Sequence, residues 1–115
     1  MRNTLNKGKF RYIIFQEADN WYGVALEFNI VVQGDDKLEV MSELFNAVRG
    51  YLHAAKKFKL RDSVLNQKSD VEYELLWDKL NETKKSASAR LAEKLTIKPS
   101  QVFNFGYTNN LAFAC

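Results

Sequence analysis

His53 is the only histidine of the chain, so catalysis or metal binding that needs a histidine would have to use it. It lies close to Lys56 and Lys57, and no second histidine is present to share a metal ion with it. The single cysteine, Cys115, stands at position 115, so neither an internal disulfide nor a thiol cluster can form. A serine or cysteine nucleophile needs an activating base, and His53 would have to serve alone. The sequence therefore predicts a structural histidine at the surface or half-buried.

Asp35 and Asp36 are adjacent carboxylates, a pair that could hold a metal ion or act as acid and base. A helical pattern starts directly after them, and carboxylates at that place accept free amide hydrogens and complement the helix dipole. Asp36 with Glu39 three residues on forms a capping-box pattern. We interpret the pair as a helix start. The sequence predicts no enzyme active site, no metal and no cofactor.

Charged residues are segregated along the chain. Between Glu43 and Asp62 there is no acidic residue, and the cations of this stretch are Arg49, Lys56, Lys57, Lys59 and Arg61. An acidic group follows, made of Asp70, Glu72, Glu74, Asp78 and Glu82. The two groups could pair with each other or form solvated faces. The alternative is an electrostatic footprint for RNA, DNA or a charged protein.

A helix-turn-helix is one interpretation of residues 86–107. Leu91, Leu95 and Val102 have the spacing of its apolar positions, and such a module would bind DNA. The residues placed to contact nucleic acid are Lys94, Lys98, Ser100 and Gln101. Thr96 stands where the turn usually has glycine, and Lys98 is the last cation, which leaves few phosphate contacts.

A strand or hairpin is the other interpretation of this region, because the residues after Pro99 are uncharged and alternate with a period of two. The alternating apolar side chains, on both sides of residues 108–110, are Phe103, Phe105, Tyr107, Leu111 and Phe113. Such side chains must be covered by something. This interpretation predicts an extension of the sheet or self-association into a homo-oligomer through these residues.

The elements that would position these residues follow from apolar periodicity. Residues 9–16, 21–26 and 30–33 are rich in β-branched and aromatic types and are separated by turn residues, which predicts a three-stranded antiparallel meander. A helix over 36–58 is predicted by apolar residues spaced three and four apart, namely Leu38, Met41, Phe45, Val48, Leu52 and Ala55.

A second helix is predicted over 70–82. Ser69 to Glu72 has the form of a capping box, and the apolar face comprises Tyr73, Leu76, Trp77 and Leu80. Gly50 lies inside the first helix, and we expect it to allow close packing on the sheet. With 115 residues, the chain is predicted to be a single α+β domain over 1–115, with both helices and a C-terminal strand or hairpin.

The stretch from Phe10 to Leu52 resembles the HicB family, the antitoxin half of a bacterial toxin–antitoxin pair. The matching parts are Tyr12 to Phe15, the turn Glu17 to Asn20, Trp21 to Ala25, Gln33-Gly34-Asp35, and Leu38-Glu39 at the start of the helix. The family's Pro-Gly-Cys-like turn is replaced here by Glu27 to Ile30, so this turn is expected to be built differently.

The resemblance implies a partial ribonuclease-H-like domain without catalytic carboxylates. It also implies a function, namely binding and neutralising a small basic ribonuclease toxin called HicA. A DNA-binding regulator that uses the C-terminal segment and a HicB-like domain without a toxin partner are the alternatives. The apolar stretches are too short to span a bilayer, and the single cysteine suits a reducing compartment. We therefore expect a cytoplasmic protein.

Overall fold

The computed structural model describes residues 3–4, 8–81 and 99–108. These residues form an α+β fold, a four-stranded sheet with two helices. In chain order the elements are β1 (Phe10–Glu17), β2 (Asn20–Ala25), β3 (Ile30–Gly34), α1 (Lys37–Lys57), α2 (Val71–Leu80) and β4 (Val102–Thr108). The strand order is β3-β2-β1-β4, and each neighbouring pair is antiparallel. Neither helix has the length and apolar character needed to cross a membrane.

The predicted three-stranded meander is confirmed. β1 and β2 pair from Tyr12 with Ala25 to Glu17 with Asn20, and β2 pairs with β3 in turn. A short 3-10 helix, Leu26–Phe28, connects β2 to β3, and Asn29 follows it in a left-handed conformation with φ of 56°. Asparagine tolerates this region better than most residues. The turn over Glu27 to Ile30 is therefore built without proline or glycine.

The sheet is covered on both faces, because successive side chains of β1 point to opposite sides. Phe10 and Ile14 belong to an apolar cluster with Leu44, Val48 and Leu52 of α1. Ile13 and Phe15 belong to a second cluster with Leu76 and Trp77 of α2. The two helices thus lie on opposite faces of the sheet, with the central strand buried between them.

Helix α1 has the predicted extent, and its side chains confirm most of the predicted apolar face. Val48, Leu52 and Ala55 are buried, but Leu38 is 59% exposed. Val40 and Leu44 are buried, and neither was part of the predicted face. The contact face is therefore rotated at the start of the helix. The predicted cap is confirmed, since the Asp36 carboxylate accepts a 3.0 Å hydrogen bond from the amide of Glu39.

Helix α2 agrees with the predicted second helix, but the predicted capping box at its start is wrong. The side chain of Asp70 makes no capping hydrogen bond. The Ser69 hydroxyl donates to a carboxylate oxygen of Glu74 at 2.7 Å instead. This carboxylate also accepts hydrogen bonds from Arg11 of β1. The predicted helix also included Glu82, which lies outside the described residues.

The prediction that Gly50 packs against the sheet is wrong. A Cβ atom added to Gly50 would have no neighbour within 4 Å, so this glycine faces open space. Two glycines lie at the helix–sheet contact. A Cβ added to Gly34 would lie 3.0 Å from the Val40 Cγ2, and one added to Gly23 would lie 3.1 Å from both the Ile14 Cδ1 and the Val40 Cγ1. The close approach of α1 to the sheet therefore depends on glycine at both positions.

Strand β4 pairs with β1 from Phe10 with Thr108 to Phe15 with Val102, with an irregularity between Ile14 and Phe15. This register leaves Phe103 as an extra residue, which is the arrangement of a β-bulge. The strand predicted as one interpretation of this region is thus present over 102–108. A second strand of the predicted hairpin would use residues outside the described part of the chain.

Replacing the two glycines separately should have opposite effects on stability. Gly50→Ala should raise the free energy of unfolding by about 0.5–1 kcal/mol, because alanine is the better helix former and meets no clash. Gly23→Ala should lower it by about 1–3 kcal/mol through overpacking. Urea denaturation of both variants measures these changes, and a stabilised Gly23→Ala variant would contradict the packing described here.

Candidate functional site

The residues considered for enzyme chemistry are all exposed at the surface. His53 is exposed on α1, and Asp35 and Asp36 are exposed at its start, where Asp36 caps the helix. No group of three or more histidine, cysteine, aspartate or glutamate side chains that could hold a metal ion occurs within residues 3–4, 8–81 and 99–108.

Arg11 is the centre of an ion network on the α2 face of the sheet. Its Nε donates to Glu27 at 2.7 Å, and its two terminal nitrogens donate to the two carboxylate oxygens of Glu74 at 2.9 and 3.0 Å. Its backbone amide also donates to Glu27 at 2.7 Å. The guanidinium carbon lies 5.6 Å from the ring centroid of Trp77. Arg11 thus joins β1 to the β2–β3 turn and to α2.

The network changes the proton affinities of its members. Burial would raise the pKa of Glu74, but hydrogen bonds from Arg11 and Ser69, together with the positive charge of Arg11, hold that pKa below its usual value. Burial would lower the pKa of Arg11, but Glu74 and Glu27 raise it above its usual value. Arg11 and Glu74 are therefore both charged at neutral pH, as a bidentate arginine–carboxylate pair requires.

A second polar network lies at the N-terminal segment, and sequence reasoning missed it. Asn3 is 1% exposed, and its side-chain amide donates to the carbonyl of Leu65 at 2.8 Å. Its side-chain oxygen accepts from the amide of Lys9 at 2.7 Å, and its backbone exchanges two hydrogen bonds with Asn66. A Cβ added to Gly8 would overlap the Asn3 side chain. Because every polar group of Asn3 has a partner, we assign this network a structural role.

The structure places Ser100 and Gln101, two of the residues predicted to contact nucleic acid, next to the sheet. Ser100 is exposed within the 3-10 helix Pro99–Gln101, and the Gln101 amide donates to the carbonyl of Gln16 at 2.6 Å. Residues 102–108, which include the end of the would-be recognition helix, are a strand. Lys94, Lys98 and the predicted first helix of the module lie outside the described residues.

The aromatic residues predicted for self-association make contacts within the chain while remaining partly exposed. Phe105 and Tyr107 meet the Trp77 ring edge-on, with centroids 5.8 and 5.2 Å away. Phe103 meets Trp21 edge-on at 6.2 Å. The exposed fractions of these side chains are 40% for Phe103, 36% for Phe105 and 51% for Tyr107. Leu111 and Phe113, the remaining members of the predicted group, lie outside the described residues.

The cations of the basic stretch are all exposed in the structure. We define the basic surface as the exposed side chains at the end of α1 and the turn after it: Arg49, His53, Lys56, Lys57, Phe58, Lys59 and Arg61. The acidic helix α2 packs on the opposite face of the sheet. In the described part of the chain, none of these cations forms an ion pair. The predicted pairing between the basic and acidic groups is therefore absent there.

Comparison with known proteins finds no relative of this chain. No family of proteins matches the chain, and neither a characterised protein nor a solved structure shows significant similarity to it.

Acid should weaken the fold through Glu74. Its pKa in the folded protein is lowered, so its contribution to stability is present above about pH 4.3, the unfolded value, and is lost as the pH falls through the lower folded value. Glu74→Gln should reduce the free energy of unfolding by about 1–2 kcal/mol at neutral pH, and the difference from wild type should shrink progressively as the pH falls below about 4.3. Urea denaturation at several pH values measures both effects. A difference that persists unchanged into acid would show that the charge of Glu74 is unimportant.

Proposed function

We propose that the protein is a HicB-like antitoxin-type domain that binds a small basic ribonuclease and blocks it by covering its surface. The observation that carries the proposal is the order of elements in the region that resembles the family. Residues 10–57 form three antiparallel strands followed by one helix, α1, packed on the sheet. The resemblance places its strands and its helix at these same positions.

Charge supports a basic partner. Two groups of exposed acidic side chains lie apart from the basic surface: one at the start of α1, with Asp35, Asp36, Glu39 and Glu43, and one on α2, with Asp70 and Asp78. A positively charged partner is steered toward such groups, which raises the association rate. The structural explanation, that acids complement a helix N-terminus, accounts for Asp36 and Glu39 and leaves Glu43 and Asp78 without a comparable role.

Affinity capture from the native host tests the proposal, with the full chain as bait. We expect a small basic protein to be retained, and we expect that protein, once purified alone, to cleave RNA. Adding back the full chain should stop cleavage when the two proteins reach equal amounts. A retained protein without ribonuclease activity, or cleavage that continues with the full chain in excess, would contradict the proposal.

Charge reversal should identify the surface that meets the partner. Glu39→Lys with Glu43→Lys changes one acidic group, and Asp70→Lys with Asp78→Lys changes the other. The variant at the contact should associate about tenfold more slowly and with a weaker dependence on salt, while the other serves as its matched control. Surface plasmon resonance gives both rates. Equal rates for both variants and wild type would exclude attraction through either group.

A further inference from the structure

Helix capping explains only part of the basic surface. Cations in the last turn of a helix complement the helix dipole, and Lys56 and Lys57 are the two cations of the last turn of α1. Arg49 lies two turns earlier, and Lys59 and Arg61 lie beyond the helix end. These three cations gain little from the dipole, whose effect is confined to the last turn. Their clustering therefore calls for another reason.

Lys59 occupies a backbone position that favours glycine. Its φ is 51°, in the left-handed region, and it directly follows the helix C-cap Phe58. The amide of Leu60 donates to the carbonyl of Ala55 at 2.9 Å, and that of Lys59 donates to Lys56 at 3.2 Å. These two bonds define a Schellman motif, which usually has glycine at this place. A lysine here carries a steric cost that glycine would avoid.

Phe58 adds an aromatic face to the cations. It is 66% exposed, and the ammonium group of Lys57 lies 5.6 Å from its ring centroid. The other aromatic rings next to cations pack against neighbouring rings, as Trp21 and Phe103 do beneath Lys37. In the described part of the chain, Phe58 makes no ring–ring contact. Its ring is therefore open for stacking.

We propose that the basic surface binds single-stranded nucleic acid, with its cations on the phosphates and Phe58 stacked on an unpaired base. Cations along a groove or ridge together with an exposed aromatic side chain are the elements of sequence-tolerant single-strand binding. Arg49 and Lys56 are seven residues apart on a helix, which spaces their side chains over about 10 Å of surface. An acidic protein partner would need a larger apolar centre than Phe58 and Leu60 provide. This activity is independent of the proposed inhibition of a ribonuclease.

Fluorescence anisotropy with the full chain tests the proposal, using labelled single-stranded RNA, single-stranded DNA, duplex DNA and polyglutamate. We expect dissociation constants of about 1–100 µM for either single strand at low salt. The logarithm of affinity should fall with the logarithm of salt with a slope of about −3, since each neutralised phosphate of a single strand contributes about −0.7. Tighter binding of duplex DNA or of polyglutamate would overturn the proposal, as would no binding of either single strand.

Charge reversal locates the contact. Lys59→Glu should weaken binding of the single strand by more than about threefold and reduce the salt slope. Lys37→Glu is the control, because it makes the same single charge reversal at the other end of α1, about 30 Å away along the helix. Phe58→Ala should weaken binding about tenfold without changing the salt slope. Equal losses for Lys37→Glu and for Lys59→Glu would overturn the assignment of this surface.

Two glycine substitutions separate the effect of relieving the strained backbone from the effect of removing the lysine side chain. Ala18 in the β1–β2 turn also has a positive φ, of 57°, and carries no charge. Lys59→Gly and Ala18→Gly should both raise the urea midpoint, because glycine adopts this conformation without steric cost. Only Lys59→Gly should also weaken binding of the single strand, by about threefold or more. Undiminished binding by a stabilised Lys59→Gly variant would contradict a role for this side chain.

Discussion

Strand β1 has one helix on each of its faces, and its side chains alternate between two separate apolar clusters. Ile14 and Phe10 contribute to the cluster under α1, while Ile13 and Phe15 contribute to the cluster under α2. The same strand pairs with β2 along one edge and with β4 along the other. A shift of one residue in either pairing would exchange the two sets of side chains. Both faces of β1 are buried, so such a shift would disrupt both apolar clusters. The packing of both helices therefore depends on the register of β1.

The two faces are stabilised in different ways. Under α1 the contact is apolar and close, with Gly23 allowing Val40 to approach the sheet. Under α2 the apolar contact is accompanied by Arg11, which reaches Glu74 on the helix and Glu27 on the adjoining turn. Burying the charged side chain of Arg11 is costly unless its nitrogens donate hydrogen bonds. Here they donate to the carboxylates of Glu27 and Glu74. The ion network therefore connects α2 to β1 and to the β2–β3 turn in addition to the apolar contact.

Away from its contact with the sheet, α1 carries exposed charged side chains, of which Asp36 caps the helix. The acidic side chains at one end and the cations at the other point away from the sheet, and the cations make no ion pair in residues 3–4, 8–81 and 99–108. Ala18 and Lys59 have left-handed backbone conformations of the same kind, one in a tight hairpin turn and the other in the Schellman motif that ends α1, but only Lys59 carries a charge. A surface that packing does not require, and that includes strain, is a reasonable place for binding.

Periodicity and capping, which depend only on residues close together in the chain, predicted the meander, both helices and the Asp36 cap. These predictions needed no knowledge of what each element packs against. Contacts between distant residues decided the rest. The same alternation of Phe103, Phe105 and Tyr107 fits several pairings, and only the tertiary structure shows that this strand lies beside β1. Likewise the local pattern could not distinguish the exposed Gly50 from the packed Gly23, because a glycine's role depends on which element approaches it, and that is decided only when the sheet and helices come together.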